Sequence, residues 1–101
     1  MSLDSIRIEK QITEKGGRFV AHVSGETATG ELTYSRVNDH LVIADHTGVP
    51  ETLGGKGVGK ALVTYLIQDA RTQGYRIVPL CPFVRAQGSK HPEWNDVIIH
   101  K

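Results

Sequence analysis

Apolar and polar residues alternate through the first half of the chain and take up a helical period in the second. Residues 5 to 12, Ser-Ile-Arg-Ile-Glu-Lys-Gln-Ile, put Ile6 and Ile8 on one face, the spacing of a half-buried strand. Gly16-Gly17 then reads as a turn, and residues 18 to 24 repeat the pattern with Phe19, Ala21 and Val23 inward. So short a glycine connection predicts an antiparallel hairpin. Gly25 closes the second strand, residues 29 to 37 form a third with Leu32 and Tyr34 in phase, and Asn38-Asp39 supplies turn chemistry. A fourth strand follows over 40–49. Its Leu41-Val42-Ile43-Ala44 run is apolar on both faces, which predicts a central strand covered on both sides.

From Lys56 the apolar positions Val58, Ala61, Leu62, Tyr65, Leu66 and Ala70 share one helical face, with Lys60, Thr64, Gln68 and Arg71 opposite. Gly74 ends this helix as a left-handed cap. Residues 76 to 80 form a short apolar strand, and strand, helix, strand in that order implies a right-handed crossover with parallel pairing. Pro82 suits the first turn of a short second helix. His91-Pro92-Glu93-Trp94 makes a further turn, and Val97-Ile98-Ile99 is a last strand or a packed tail. The predicted class is α/β of the α+β kind: a mixed, largely antiparallel sheet with one β-α-β crossover.

Length and charge narrow the picture. The 101 residues suit one domain over 1–101, with an apolar fraction of 39% and 23% charged residues typical of a soluble globular chain. Twelve Lys plus Arg against eleven Asp plus Glu leave a net charge of +1 with the signs interspersed. No basic stripe marks a nucleic-acid or anionic-membrane partner. Met1-Ser2-Leu3-Asp4 has neither the basic start nor the apolar run of a signal peptide, and no window approaches the roughly 18 apolar residues of a membrane span. The expected location is the cytoplasm. The single cysteine, Cys81, precludes an internal disulfide and agrees with a reducing compartment.

Between the fourth strand and the helix lies Leu53-Gly54-Gly55-Lys56-Gly57-Val58-Gly59-Lys60, with four glycines in six residues. Glycine lets a backbone turn tightly and approach a ligand closely. At a helix start the first N–H groups lack intrahelical partners, and they face an anion together with the positive end of the helix dipole. The run is therefore a candidate phosphate site; the bland alternative is a glycine turn that binds nothing. Gly54 with Gly59-Lys60 fits most of a P-loop, yet Ala61 stands where a Ser or Thr hydroxyl should hold magnesium. The dinucleotide fingerprint fails too. Its glycines would run 55, 57, 59, and about 20 residues on stands Ile77-Val78-Pro79, with no acid for a ribose.

Strand, Gly-Gly-Lys-Gly-Val-Gly and amphipathic helix resemble the acetyl-CoA pyrophosphate loop of the GCN5-related N-acetyltransferases. That pattern is Arg or Gln, two residues, Gly, one residue, Gly or Ala. Gly57 and Gly59 take its two glycine positions, and Gly54 stands where Arg or Gln is usual. His46-Thr47-Gly48-Val49-Pro50 before the loop, and Pro79-Leu80-Cys81-Pro82-Phe83-Val84 with His91-Pro92-Glu93 after it, resemble the family's small single-domain members. The likeness spans residues 6 to 98 and departs at Gly54 and over 85–90, where Gln87-Gly88-Ser89 is expected to shorten or loosen the second helix. It implies a minimal acyltransferase fold of this family, with a sheet antiparallel over four strands that splays between strands four and five to admit pantetheine.

The resemblance implies acetyl transfer from acetyl-CoA (coenzyme A) to a primary amine on a small molecule or protein. Such transfer needs a held thioester, an oxyanion donor, a base for the ammonium and an acid for the departing thiolate. Gly54, Gly55, Lys56, Gly57, Val58, Gly59 and Lys60 would hold the diphosphate through N–H groups and lysine charge. The end of strand four, with Thr47 and Val49, would bind pantetheine and polarise the acetyl carbonyl. Cys81 ends the fifth strand just before a helix start, where the dipole favours a thiolate; it would act as nucleophile or as acid, unless it is an inert buried thiol. His46 is the candidate base because imidazole titrates near neutral pH, with His91 next. His22, His40 and His100 have no partner pattern. No pairing of His46, Cys81 and His91 has structural-zinc spacing, so no metal is expected. Phe83, Tyr75 and Trp94 are expected in the core or at its rim. The chain has no room for helices between its first two strands, so the acceptor site is open or completed by a partner. The expected assembly is a monomer or weak homodimer. The competing class is a non-catalytic coenzyme A or acyl-CoA binding module.

Overall fold

Five strands lie side by side in chain order: β1 (Ile6–Ile12), β2 (Gly16–Val23), β3 (Thr29–Asn38), β4 (Leu41–Gly48) and β5 (Arg76–Pro79). The structure, a computed structural model, describes residues 6–99. Met1 to Ser5, His100 and Lys101 therefore lie outside the described residues. β1 to β4 pair antiparallel, while β5 runs parallel to β4 from Leu41↔Arg76 to Ala44↔Pro79. A parallel neighbour needs a crossover, and α1 (Val58–Gln73) supplies it. α2 (Pro82–Lys90) follows β5. Single 3-10 turns occupy Glu51–Leu53 and Pro92–Trp94. The end of the described chain is a packed tail with one parallel bridge, Ile98 against Ile77. Among the described residues no helix is long and apolar enough to cross a membrane.

Four local expectations are corrected. The β1–β2 turn is made by Glu14 and Lys15, since Thr13 and Gly16 exchange N–H···O bonds at 3.1 and 3.4 Å across it. Gly16 and Gly17 belong to β2 and have no positive φ. Gly17 is small because Tyr34 is close: a Cβ there would lie 2.6 Å from the tyrosine hydroxyl. In β4, Val42 and Ala44 are buried but Leu41 and Ile43 are only half-buried. Sheet, helices and tail share one core cluster on the Val42 face, so the second face of β4 is not fully covered. In α1 the buried stripe is Val58, Leu62, Val63, Leu66, Ile67 and Ala70, with Ala61 and Tyr65 half-buried. The branched Val63 and Ile67 bury more apolar area than Ala61, and Tyr65 keeps its hydroxyl end near water while its ring packs 5.2 Å from that of Phe19. Finally, α2 runs unbroken to Lys90 through the buried Gly88.

α1 is anchored at both ends. Gly74 caps it in the left-handed region, at φ 80°, with its N–H donated to the Ala70 carbonyl at 2.8 Å. On the last turns, Asp69 accepts Lys10 Nζ from β1 at 2.9 Å and the buried Tyr75 hydroxyl at 2.6 Å. Burial, and then the bond to Asp69, push the Tyr75 phenol far above its usual range. Removing the carboxylate strands two donors. Asp69→Ala is expected to cost about 1–3 kcal/mol, read as a lower urea midpoint at unchanged slope. A shift no larger than that of a surface substitution such as Thr72→Ala would show that the cluster does not anchor the helix.

Candidate acyl-transfer site

The pairing of β4 with β5 stops at Ala44↔Pro79, although β4 continues to Gly48. The last backbone link across this seam is the Cys81 N–H to the Ala44 carbonyl, at 2.9 Å. Beyond it the two chains part: β4 bulges at Asp45, and β5 gives way to Leu80, Cys81 and α2. Both strands end here by their carboxyl ends, and each is followed by a helix whose N-terminus opens on the same side.

Cys81 is the N-cap of α2, with Pro82 preset for the first helical position. Only 3% of Cys81 is exposed, and its Sγ donates to Thr47 Oγ1 on β4 at 3.5 Å. The thiol thus spans the parted strands. Burial pushes its pKa up, but the Thr47 hydroxyl and the backbone N–H groups of Val84, Phe83 and Thr47 outweigh it, so the pKa lies below that of an ordinary thiol. No N–H of α2 makes a full capping hydrogen bond to the side chain; the helix acts through its oriented dipoles.

The glycine run begins as an extended Gly54, φ −63°, after the 3-10 turn. Gly55 and Gly57 have φ 78° and 75°, a region that side-chain-bearing residues rarely enter, and a Cβ on either would meet nothing within 4 Å. Both open on free space. Gly57 is the N-cap of α1, and the first intrahelical bond runs from the Ala61 N–H to its carbonyl at 2.9 Å. The N–H groups of Val58, Gly59 and Lys60 precede that bond and form the unsatisfied helix start expected of an anion site. Lys60 is exposed and Lys56 half-buried.

Gly59 is glycine for a different reason. A Cβ there would stand 2.7 Å from the tip of the Phe83 ring. Phe83 belongs to the first turn of α2, so this contact brings the two helix starts together and sets the glycine loop beside Cys81. Phe83, 37% exposed, is the rim residue its sequence context predicts, while its pairing with Gly59 carries no signal in the sequence. A shallow groove of about 370 Å³ runs from Gly57 along the outer flank of α1, lined by Lys60, Ala61, Thr64, Tyr65 and Gln68. Thr64, Tyr65 and Gln68 carried no functional signal in the sequence beyond their helical spacing.

The remaining candidates are divided between the thiol and sites away from it. Thr47 touches the thiol, and its neighbour His46 points to the opposite face of β4, exposed, with Thr33 as cross-strand partner. Val49 is partly exposed just past the strand end. His91 closes α2 at its far end; it is stacked on Trp94 at 4.0 Å and paired with Glu93 at 2.9 Å, so the length of α2 separates it from Cys81. His22 pairs with Glu9, and His40 faces the Gly74 carbonyl.

A family model described as GCN5-related N-acetyl-transferase matches residues 18–97. Among solved structures, a GCN5-like protein from Staphylococcus aureus, itself described only as an inferred N-acetyltransferase, is similar in solution structure with a TM-score of 0.70. The two share 31% identity over 92% of this chain and 89% of that one. No curated protein matches the chain.

The lowered thiol pKa is open to direct measurement. The pH midpoint of Cys81 alkylation by iodoacetamide should fall below the ordinary thiol value of about 8.5. Thr47→Val, which keeps the shape and removes the hydroxyl, should move it upward. An unmoved midpoint would remove Thr47 from the thiol's electrostatics.

Proposed function

Because this chain belongs to the GCN5-related N-acetyltransferase family, we propose that it takes acetyl from acetyl-CoA at the parted ends of β4 and β5 and delivers it to a primary amine. One observation carries the proposal: the sole thiol bridges that gap to Thr47, while the open glycine N-cap of α1 is held beside it by the Gly59–Phe83 contact. When bound, acetyl-CoA supplies an activated thioester carbonyl and a diphosphate. The residues present fit both ends. The N–H groups of Val58, Gly59 and Lys60, with the charge of Lys60, suit a diphosphate; Gly54 contributes no side chain, so this cradle is built of backbone. Gly55 and Gly57 leave its mouth open, and Lys56 stands at its rim. Thr47 and Val49 flank the opening where a pantetheine arm would run along the free edge of β4.

Transfer breaks the carbonyl C–S bond and forms a C–N bond. The amine loses a proton and the departing sulfur gains one. Cys81 stands where it can serve as thiolate nucleophile, for which its lowered pKa is suited, or as proton donor to the departing sulfur. His46, on the other face of β4, suits the base for an amine that enters from that side. The acceptor is a small-molecule or protein amine, reached from an open surface.

Two measurements test this. Calorimetry should register coenzyme A binding to the wild-type chain and none to Gly57→Asp, whose carboxylate would oppose the diphosphate at a left-handed position. Binding that survives the substitution would refute the loop assignment, and no binding by the wild type would refute the whole proposal. With acetyl-CoA and a pool of amines, Cys81→Ala should lower coenzyme A release at least about 100-fold, the usual scale for a lost acid–base or nucleophilic group. Mass spectrometry then separates the routes, since an acetyl group on Cys81 marks the covalent one. Binding without turnover would make the chain a coenzyme A-binding module.

A further inference from the structure

The outer edge of β1 has no strand partner among the described residues. Its hydrogen-bonding directions follow from the hairpin. Thr13 and Gly16 exchange both backbone bonds, and the register runs from there through Ile12↔Gly17 to Ile6↔Val23. In an antiparallel pair such exchanges alternate along the strand. Gln11, Glu9 and Arg7 therefore spend their N–H and C=O groups on β2, while those of Ile12, Lys10, Ile8 and Ile6 point outward.

Open edges of this kind are usually blunted by bulges, prolines or charged side chains, above all an inward-pointing lysine; here the core-side Lys10 is already held by Asp69 of α1. This one has no bulge in its pairing with β2, and its charges are self-complementary. A two-fold axis at Ile8 sets Ile8 against the partner's Ile8 and Ile6 against the partner's Lys10, all with outward groups that can exchange backbone bonds. The same axis sets Arg7 directly opposite the partner's Glu9, in the closer, non-bonded type of pair where opposite charges attract most. A two-fold at Lys10 would instead put two ammonium groups face to face. On the core side, Ile6, Ile8 and Tyr65 are only half-buried at the rim of the hydrophobic cluster, and a second β1 would extend that apolar strip. Lys10 keeps its bond to Asp69 of α1, and Glu9 its bond to His22.

We propose that β1 pairs with β1 of a second copy across a two-fold at Ile8, joining two sheets into one. The inference rests on the strand edge alone and is independent of the acetyl chemistry. A seam one strand wide falls short of the roughly 1,200 Å² of a stable interface, so the dimer should be weak and in rapid exchange.

Sedimentation of the full chain over a rising concentration series should show a mass moving from monomer to dimer. Arg7→Glu and Glu9→Arg, each of which opposes like charges twice across the axis, should weaken association about tenfold or more. The double variant R7E/E9R restores opposite charges in the same register and should recover wild-type association. Ile8→Pro removes an outward N–H that β2 does not use, and should leave a folded monomer by circular dichroism. A wild-type chain that stays monomeric at about millimolar concentration overturns the proposal, since no affinity worth about 4 kcal/mol would then exist. So does a dimer indifferent to either single reversal, or a double variant that fails to recover.

Discussion

The parallel pairing of β4 with β5 over only four residue pairs is the constraint on which the rest depends. A strand cannot reach a parallel neighbour without a crossover, so α1 must begin at the carboxyl end of β4 and return before β5. β5 ends early, and the chain turns at once into α2. Two helix N-termini and two strand ends are thereby gathered on one edge of the molecule, with their N–H dipoles turned toward it. The acyl-transfer assignment draws on that geometry more than on any single side chain.

Packing sets the distances within this edge. α1 is held from below by its apolar stripe and at its far end by Asp69, which accepts hydrogen bonds from Lys10 and Tyr75. At its near end, the missing side chain of Gly59 admits the Phe83 ring, and that contact brings α2 and Cys81 into place. The thiol is nearly buried, which by itself would favour its neutral form. It sits instead at a helix start against a hydroxyl, and these reverse the balance. Core packing and thiol electrostatics are thus two results of one arrangement.

The same economy exposes β1. Glu14 and Lys15 link β1 directly to β2, leaving no intervening segment to cover the edge. The half-buried Ile6 and Ile8 and the outward backbone groups follow from that short connection.

Local pattern decided much of this protein. Two-residue alternation marked the strands, helical spacing marked α1, Gly74 and Pro82 marked a helix end and a helix start, and the glycine run with its flanking segments carried the family likeness. Each is a property of neighbouring residues, so it survives without knowledge of the fold. What needed tertiary structure was any choice between residues of equal local merit. Val63 and Ile67 are fully covered while Ala61 and Tyr65 are left half-buried, the tyrosine packing its ring on Phe19 at the rim, because the position of the sheet beneath α1 decides which flank of the helix is enclosed. Gly17 and Gly59 are small because Tyr34 and Phe83, distant in sequence, press on them, which no turn rule can foresee. Thr47 rather than His46 meets Cys81 because adjacent strand residues point to opposite faces, and only the bulge and the parting of β4 from β5 determine which face the thiol takes.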